Sequence, residues 1–256
     1  MSPDTIALIY AGAFGLVIGS FLNVVIYRLP RGQSLVTPPS RCPKCGQALA
    51  WYDNIPVLGW LMLGGKCRTC RNPISPQYPI VEFITGALFV LIVWMTPDVP
   101  LMVSRLTLVC LLIALFGIDW EHQILPNSIT LPGIVVGMLF SAMAPPGWKD
   151  ALLGVLLGGG ILYTIAGAYY LVRKEEGLGM GDVKMLAMIG GFLGWKAVLV
   201  TLVLSSFSGA LVGLGLIAAE RGGMRVAMPF GTFLALGALA AMLVGDPLIA
   251  WYAQFF

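Results

Sequence analysis

Two aspartates stand at the edges of apolar segments, where a charged side chain is costly and marks a candidate functional site. Asp119 follows one apolar stretch, and Asp182 lies in Gly177-Leu-Gly-Met-Gly-Asp182, just before another. Two carboxyl groups that lie close together in a low-dielectric site do not both ionise. The ionised group can take a proton from water, while the protonated group can donate to a peptide carbonyl oxygen or to the leaving amine. The pair indicates aspartic-protease chemistry, with the proton assigned to neither member.

Other interpretations of these residues stay open on the sequence alone. Asp182 could instead cap the N-terminus of a helix. A Ser–Lys pair could form from Ser205 or Ser206 with Lys184. The only histidine, His122, belongs to no His-Glu-x-x-His motif, and the chain has no Gly-x-Ser-x-Gly motif. We interpret His122 as a polar residue at the membrane interface.

Four of the five cysteines form two pairs, each with two intervening residues. This spacing lets both sulfurs of a pair reach one soft cation, and two pairs complete a tetrahedral shell. We predict a structural zinc site, because four cysteines leave no open position on the metal. Two disulfides are the alternative, which a cytoplasmic location disfavours. The predicted ligands are Cys42, Cys45, Cys67 and Cys70, whereas Cys110 is predicted to pack inside a membrane span.

The composition indicates that these residues belong to a membrane protein. Of 256 residues, 58% are hydrophobic and 11% are charged, whereas a soluble domain has about 25% charged residues. A water-soluble enzyme, a disordered chain and a nucleic-acid binder with a basic face are therefore excluded. A spanning helix needs about 20 apolar residues. The eight candidate spans are Thr5–Tyr27, Pro79–Met95, Leu101–Ile118, Gln123–Trp148, Ala151–Val172, Met185–Trp195, Ala197–Ala219 and Val226–Gly245.

Some of these spans carry features that affect their assignment. Met185–Trp195 is too short to cross alone, so we expect it to extend through Gly181–Lys184 or to be part of a broken helix. Glu82 and Arg105 lie near the ends of their spans, where long side chains can reach the interface. Glycines at 158–160 and 190–191 predict close packing of helices.

The basic residues orient the spans, because cytoplasmic loops carry most lysines and arginines. With the N-terminus outside, twelve of them fall inside and three outside, and both aspartates lie at the cytoplasmic edge. This predicts a multi-pass protein of the bacterial inner membrane with its site facing the cytoplasm. The inner set is Arg28, Arg31, Arg41, Lys44, Lys66, Arg68, Arg71, Arg173, Lys174, Lys184, Arg221 and Arg225, and the outer set is Arg105, Lys149 and Lys196.

The segment 30–79 differs from the rest because it holds eight of the 17 prolines. It is too irregular for the bilayer, where every backbone group must be paired internally. A bound metal would stabilise such a small segment. We predict an all-α polytopic protein with a first span at 1–29, a zinc-binding cytoplasmic domain at 30–79 and a helical peptidase core at 80–256. The membrane topology explains the positive charge of the loop, so no nucleic-acid partner is expected.

These features together resemble the type IV prepilin peptidases, membrane enzymes also called leader peptidase/N-methyltransferases. The resemblance implies an aspartic endopeptidase with Asp119 and Asp182 as its catalytic pair. It implies substrates among the prepilins and pseudopilins of type IV pili and type II secretion, cut after a glycine. Asn127 stands where many members have Asp. The matching blocks are Gly19–Pro30, the cysteine pairs, Trp51–Pro56, Gly65–Cys67, Tyr78–Glu82, Asp119 to Pro126, Gly179–Asp182 and Met228–Gly231.

The resemblance also implies that the new N-terminal residue is methylated from S-adenosylmethionine, and that the zinc loop belongs to such bifunctional members. The sequence shows no Rossmann-type context for this cofactor. Candidate cofactor-binding residues are Tyr52, Asp53, Asn54, Gly65, Lys66 and Glu82, each of which also has a structural interpretation. Basic prepilin leaders make three acidic residues near the aspartates candidates for substrate attraction, namely Glu121, Glu175 and Glu176.

Two other classes of protein are alternatives to a peptidase. A transporter or proton relay also has acidic residues in membrane helices, but the sequence shows no internal repeat of the kind common in transporters. A membrane scaffold that docks through its zinc loop would leave Asp119 and Asp182 unexplained.

Overall fold

The computed structural model describes residues 4–175, 179–219 and 229–254. Within these ranges the chain is helical, and the β-structure consists of two isolated bridges. The all-α fold class is therefore confirmed. The helices are α1 (Thr5–Arg28), α2 (Leu58–Met62), α3 (Gln77–Met95), α4 (Val99–His122), α5 (Asn127–Ser141), α6 (Trp148–Arg173), α7 (Met180–Ala218) and α8 (Phe230–Ala253), with 3-10 turns at Leu29–Arg31 and Trp51–Asn54.

Five of the described helices are long and apolar enough to cross a bilayer, which makes the chain a multi-pass membrane protein. They are α1 with the turn that follows it, α3, α4, α6 and α7. Two further apolar segments are shorter, α5 and the Phe230–Gly245 part of α8. The total of eight spans stays a prediction.

The helix within the predicted span Gln123–Trp148 is shorter than expected. Only Asn127–Ser141 is helical, because proline lacks the N–H that a continuing helix needs and restricts the residue before it. Pro126 immediately precedes the helix, and Pro145-Pro146-Gly147 separates its end from α6.

The predicted spans Met185–Trp195 and Ala197–Ala219 correspond to two helices that meet at Gly194 and together make up α7. A straight helix of its 39 residues would measure about 58 Å, nearly twice the ~30 Å thickness of the hydrocarbon core. Gly194 interrupts it with the non-helical angles φ 78° and ψ 174°. The expected extension of the short segment through Gly181–Lys184 is confirmed, since α7 begins at Met180.

The chain forms two compact units, 1–102 and 103–256. The predicted domains 1–29, 30–79 and 80–256 stay predictions. In the first unit α1 packs against α3 through small residues. A Cβ atom at Gly15 would lie 2.8 Å from Phe89 Cβ, and one at Gly19 would lie 2.7 Å from Glu82 Cα. Both glycines therefore allow the two helices to approach closely.

In the second unit α7 packs against α5, α6 and α8. The backbones of Gly190 and Gly154 meet where α7 crosses α6, and a Cβ atom at Gly158 would lie 2.6 Å from the carbonyl oxygen of Leu186. The predicted packing role is confirmed for Gly158 and Gly190, whereas Gly160 faces open space. The Ser141 hydroxyl of α5 also donates to the Gly191 carbonyl at 2.8 Å. These contacts hold the part of α7 that begins near Asp182.

Candidate functional site

The second unit brings Asp119 and Asp182 to one cavity. Asp119 lies in the last turn of α4 and Asp182 in the first turn of α7, and their residues are 4% and 9% exposed. The cavity has a volume of about 280 Å³, and the charge of Asp119 acts on Asp182. Two carboxyl groups that are distant in sequence therefore face one space. Its lining residues are Asp119, Gln123, Ile124, Leu125, Gly179, Gly181 and Asp182.

The beginning of α8 orients Asp119. The backbone N–H of Thr232 donates to Asp119 Oδ2 at 2.8 Å, and the Gly231 amide and the Thr232 hydroxyl also act on this carboxyl group. The first N–H groups of a helix have no partner within the helix and are favourable for an acceptor or anion. Asp119 therefore supplies the acceptor that the N-terminus of α8 needs.

Thr232 belongs to the site although no sequence motif indicates it. Gly231 is indicated only within the block Met228–Gly231, of which Met228 lies outside the described residues. The available signal was Pro229, which immediately precedes α8 and is typical of a helix start. Pro229 indicates where α8 begins, but it does not indicate that the Asp119 carboxyl group binds there.

Close packing at two glycines connects α7 and α8 through Leu125. A Cβ atom at position 231 would lie 2.8 Å from Asp119 Oδ2 and 2.9 Å from Leu125 Cδ1. A Cβ atom at position 181 would lie 2.8 Å from Leu125 Cβ. Gly231 and Gly181 therefore provide the space that Leu125 and the Asp119 carboxyl group occupy.

Asp182 does not occupy the N-cap position of α7. That position is held by Gly179, which has no side chain to cap the helix. Asp182 lies three residues further on, and its backbone N–H donates to the Gly179 carbonyl at 3.1 Å. Its carboxyl group nevertheless takes part in this helix end, because the Gly179 backbone N–H acts on it, as in a capping box.

The described residues show no hydrogen bond between Lys184 and Ser205 or Ser206 that would support a Ser–Lys pair. Lys184 Nζ donates to Asn127 Oδ1 at 2.8 Å. The Ser205 hydroxyl donates to the carbonyls of Thr201 at 2.6 Å and Phe233 at 3.0 Å. Ser205 and Ser206 lie beyond the break at Gly194, and the bonds of Lys184 and Ser205 go to these other partners rather than to each other.

The predicted leader-attracting residues lie at the ends of helices. Glu121 is in the last turn of α4, and Glu175 follows the end of α6; both are exposed. Glu176 lies outside the described residues. Their role in attracting substrate stays a prediction.

The first unit brings the four predicted cysteine ligands together. Their sulfurs all lie within 4.8 Å of one another, and Cys42 Sγ is 3.8 Å from Cys70 Sγ. A tetrahedral zinc with Zn–S distances of about 2.3 Å has sulfurs about 3.8 Å apart. All five cysteines of the chain are free thiols, so the disulfide alternative is wrong. Cys42, Cys45, Cys67 and Cys70 therefore fit a tetrahedral metal ion.

The two cysteine pairs adopt the same local fold. In the first, the N–H of Cys42 donates to the Gln47 carbonyl and that of Gly46 to the Cys42 carbonyl, both at 2.9 Å. In the second, Cys67 donates to Asn72 at 2.8 Å, and Arg71 donates to Cys67 at 3.0 Å. Each turn has a positive φ at the equivalent position, 70° at Gly46 and 58° at Arg71.

Hydrogen bonds favour the thiolate at one of these cysteines. The backbone N–H and the side-chain amide of Asn72 act on Cys70 Sγ and lower the pKa of this thiol to about 6. Cys70 is therefore largely ionised near neutral pH, which is the form that binds a metal.

Several candidate cofactor residues are already engaged in contacts within the loop. Arg68 Nη2 lies 2.6 Å from Asp53 Oδ1, and its guanidinium lowers the pKa of the Asp53 carboxyl group. The same guanidinium lies 5.3 Å from the centre of the Tyr52 ring. Asn54 and Lys66 are exposed. Because Arg68 lies between Cys67 and Cys70, this ion pair connects Asp53 to the second cysteine turn.

Glu82 and Gly65 also have structural roles. Glu82 is 7% exposed and accepts the Val57 N–H at 2.7 Å, so its carboxyl group is bonded within the protein. Gly65 has a φ of 68°, and a Cβ atom there would lie 2.7 Å from the Trp60 ring, so this position favours glycine for a structural reason. The role of these residues in binding S-adenosylmethionine stays a prediction.

Comparisons with known proteins are consistent with the two units. Residues 13–96 match the Bacterial Peptidase A24 N-terminal domain, and residues 106–214 match the Type IV leader peptidase family. The boundary between the compact units, after Met102, falls between these ranges. No solved structure gives a significant match.

Curated relatives cover most of the chain, and each is named prepilin leader peptidase/N-methyltransferase. A relative from Myxococcus xanthus is 44% identical over 219 residues, which is 85% of this chain and 65% of the relative. One from Aeromonas hydrophila is 37% identical over 268 residues, covering 95% and 92%. One from Klebsiella pneumoniae is 46% identical over 201 residues, covering 75% and 87%.

Proposed function

Because the chain belongs to the type IV leader peptidase family, we propose that it is an aspartic endopeptidase that removes the leader peptide of type IV prepilins and pseudopilins. The observation that supports this most directly is the shared cavity of Asp119 and Asp182. The names of the relatives supply the substrate class. The proposed site faces the cytoplasm from the inner membrane, in accordance with the distribution of basic residues.

The proposed reaction is hydrolysis of one peptide bond by a carboxyl pair that holds one proton. The ionised carboxylate accepts a proton from water as the water oxygen bonds to the carbonyl carbon, and the protonated carboxyl donates to the carbonyl oxygen. The C–N bond of this tetrahedral intermediate then breaks. The leaving nitrogen takes a proton from one carboxyl group, and a hydroxyl of the intermediate returns a proton to the other. Asp119 and Asp182 end as they began.

Zinc is the metal we propose for the four-cysteine cluster. Cys42, Cys45, Cys67 and Cys70 would hold it and leave no open coordination position, so its contribution is structural. The ion would bind the two turns to each other in a segment that has few buried apolar side chains. No step of peptide hydrolysis is assigned to it.

We also propose that the chain methylates the new N-terminal residue of its product. The support is the second activity in the names of the relatives, for which S-adenosylmethionine is the proposed methyl donor. Mass spectrometry of the cleaved product, with and without S-adenosylmethionine, tests this activity. An N-terminus that gains no methyl group in its presence would contradict it, without affecting the peptidase proposal.

Separate Asp119→Asn and Asp182→Asn variants test the peptidase proposal in a detergent assay with a prepilin peptide. Each is expected to lower kcat by at least about 10³-fold, because neither amide can exchange protons with water or the scissile bond. Asp98→Asn is the matched control. Asp98 Oδ2 accepts the Leu101 N–H at 3.0 Å, at the opposite end of α4 from Asp119, and asparagine caps a helix equally well. Full activity of either active-site variant would reject the mechanism.

A further inference from the structure

A buried carboxyl group in the first unit binds the cysteine-bearing loop to the membrane helices α1 and α3. Glu82 of α3 accepts the Val57 N–H at 2.7 Å, and the Ser20 hydroxyl of α1 also acts on it. Glu82 lies four residues beyond Tyr78, which is about 6 Å further along α3. Tyr27 and Tyr78 are exposed aromatic residues near the loop ends of α1 and α3, where aromatic side chains typically mark the interface. The Val57 amide is therefore bonded to a residue that lies further along α3 from the loop than Tyr78 does.

The backbone at Val57 is strained and depends on this carboxylate. Its φ of 62° and ψ of −52° are costly for a β-branched residue. An unpaired amide within the bilayer would also be costly, because the bilayer supplies no hydrogen-bond acceptor. Glu82 supplies that acceptor from within the protein. The arrangement has the form expected where a non-helical residue lies at membrane depth.

The short helix that follows Val57 has one apolar face without a partner. Leu58, Leu61 and Met62 have the spacing i, i+3 and i+4, which places them on one side of α2. They are 57%, 58% and 79% exposed. The remaining residues face the loop: Gly59 packs against the carbonyl of Asp53, and Trp60 Nε1 donates to the Ile74 carbonyl at 3.1 Å.

We propose that α2 is a membrane-inserted segment whose Leu58, Leu61 and Met62 side chains contact lipid in the boundary between headgroups and acyl chains. Continuity with the membrane helices supports lipid as the occupant, because Glu82 holds the start of α2 beside α1 and α3. An apolar helix face binds at this depth by removing its surface from water. The inserted face fixes the cysteine-bearing loop to the bilayer at a third point, besides its two chain connections.

The test places a solvatochromic fluorescent amino acid at Met62 in the full-length, metal-loaded protein. The protein is reconstituted in phosphatidylethanolamine–phosphatidylglycerol vesicles, with or without bromine on the acyl chains. The matched control carries the same fluorophore at Gln47, an exposed residue of the first cysteine turn. Unchanged metal content of both variants shows that the loop is folded.

We expect bromolipid to quench the Met62 probe at least about threefold more than the Gln47 probe, because an inserted face lies within the acyl-chain boundary. Emission at Met62 should also shift to shorter wavelength. Equal and weak quenching at both sites would overturn the proposal. A shifted emission at Met62 without quenching would overturn it too, and would indicate a protein partner, including a second copy of the chain, on this face.

Discussion

The backbone N–H of Thr232 donates to Asp119 Oδ2 at 2.8 Å, so the first turn of α8 positions a carboxylate carried by α4. Thr232 and Asp119 are 113 residues apart in sequence. Between them lies Gly231, whose missing side chain leaves room for the carboxylate. The orientation of Asp119 therefore depends on a third helix in addition to α4 and α7.

Gly231→Ala is expected to lower kcat by about 100-fold, because its Cβ atom would lie 2.8 Å from Asp119 Oδ2 and displace it. A misplacement of about 1 Å at a reacting group has effects of this size. KM should change little, since the substrate-binding surface is retained. Steady-state kinetics of peptide cleavage in detergent measures both constants.

Gly160→Ala is the matched control for this prediction. Gly160 lies in α6, where no atom comes within 4 Å of a Cβ, and alanine favours a helix. Its activity and thermal stability should equal or exceed those of the unchanged protein. An equal loss of activity in both variants would show that any added methyl group harms the enzyme, and would contradict the specific role of Gly231.

Cys67→Ser is expected to abolish stoichiometric zinc binding, while Cys110→Ser retains it. Cys67 is one of the four clustered thiols, whereas Cys110 lies apart from them in α4. Removing one thiolate leaves an incomplete tetrahedral shell. Elemental analysis of the purified variants measures zinc per chain. Retention of one zinc per chain by Cys67→Ser would show that the ion binds elsewhere.

Glu82→Leu is expected to destabilise the first unit by about 1–3 kcal/mol, because the Val57 N–H loses its acceptor in a buried position. Glu82→Gln keeps an acceptor oxygen and should lose less. Thermal unfolding in detergent, followed with zinc release, compares the two. If both variants unfold like the unchanged protein but fail to methylate, Glu82 belongs to the cofactor site instead.

Replacing Glu121, Glu175 and Glu176 together by Gln is expected to raise KM for a basic-leader substrate several-fold at low salt. Each exposed charge pair contributes about 0.2–1 kcal/mol, which salt screens. The effect should disappear at high ionic strength and for a substrate with a neutral leader. An unchanged cleavage rate at low salt would remove these residues from substrate attraction.

The sequence determined the class of protein, the long helices and the chemistry of the two candidate sites. Few charges and long apolar segments require a membrane environment. Two cysteines separated by two residues can reach the same metal ion whatever the rest of the fold is. Such features depend on composition and local spacing, which are readable without a fold. The cysteine cluster shows this best, because each half is a turn closed within a few residues.

Only the tertiary structure decided which groups orient Asp119 and which backbone N–H Glu82 accepts. Thr232 and Gly231 act because α8 begins beside the end of α4, and Glu82 acts because Val57 turns back onto α3. Neither relationship has a local signal, since a backbone N–H is present at nearly every position and its partner is set by packing. A sequence can indicate which side chains can react or bind metal. Their orientation depends on contacts between helices that are distant along the chain.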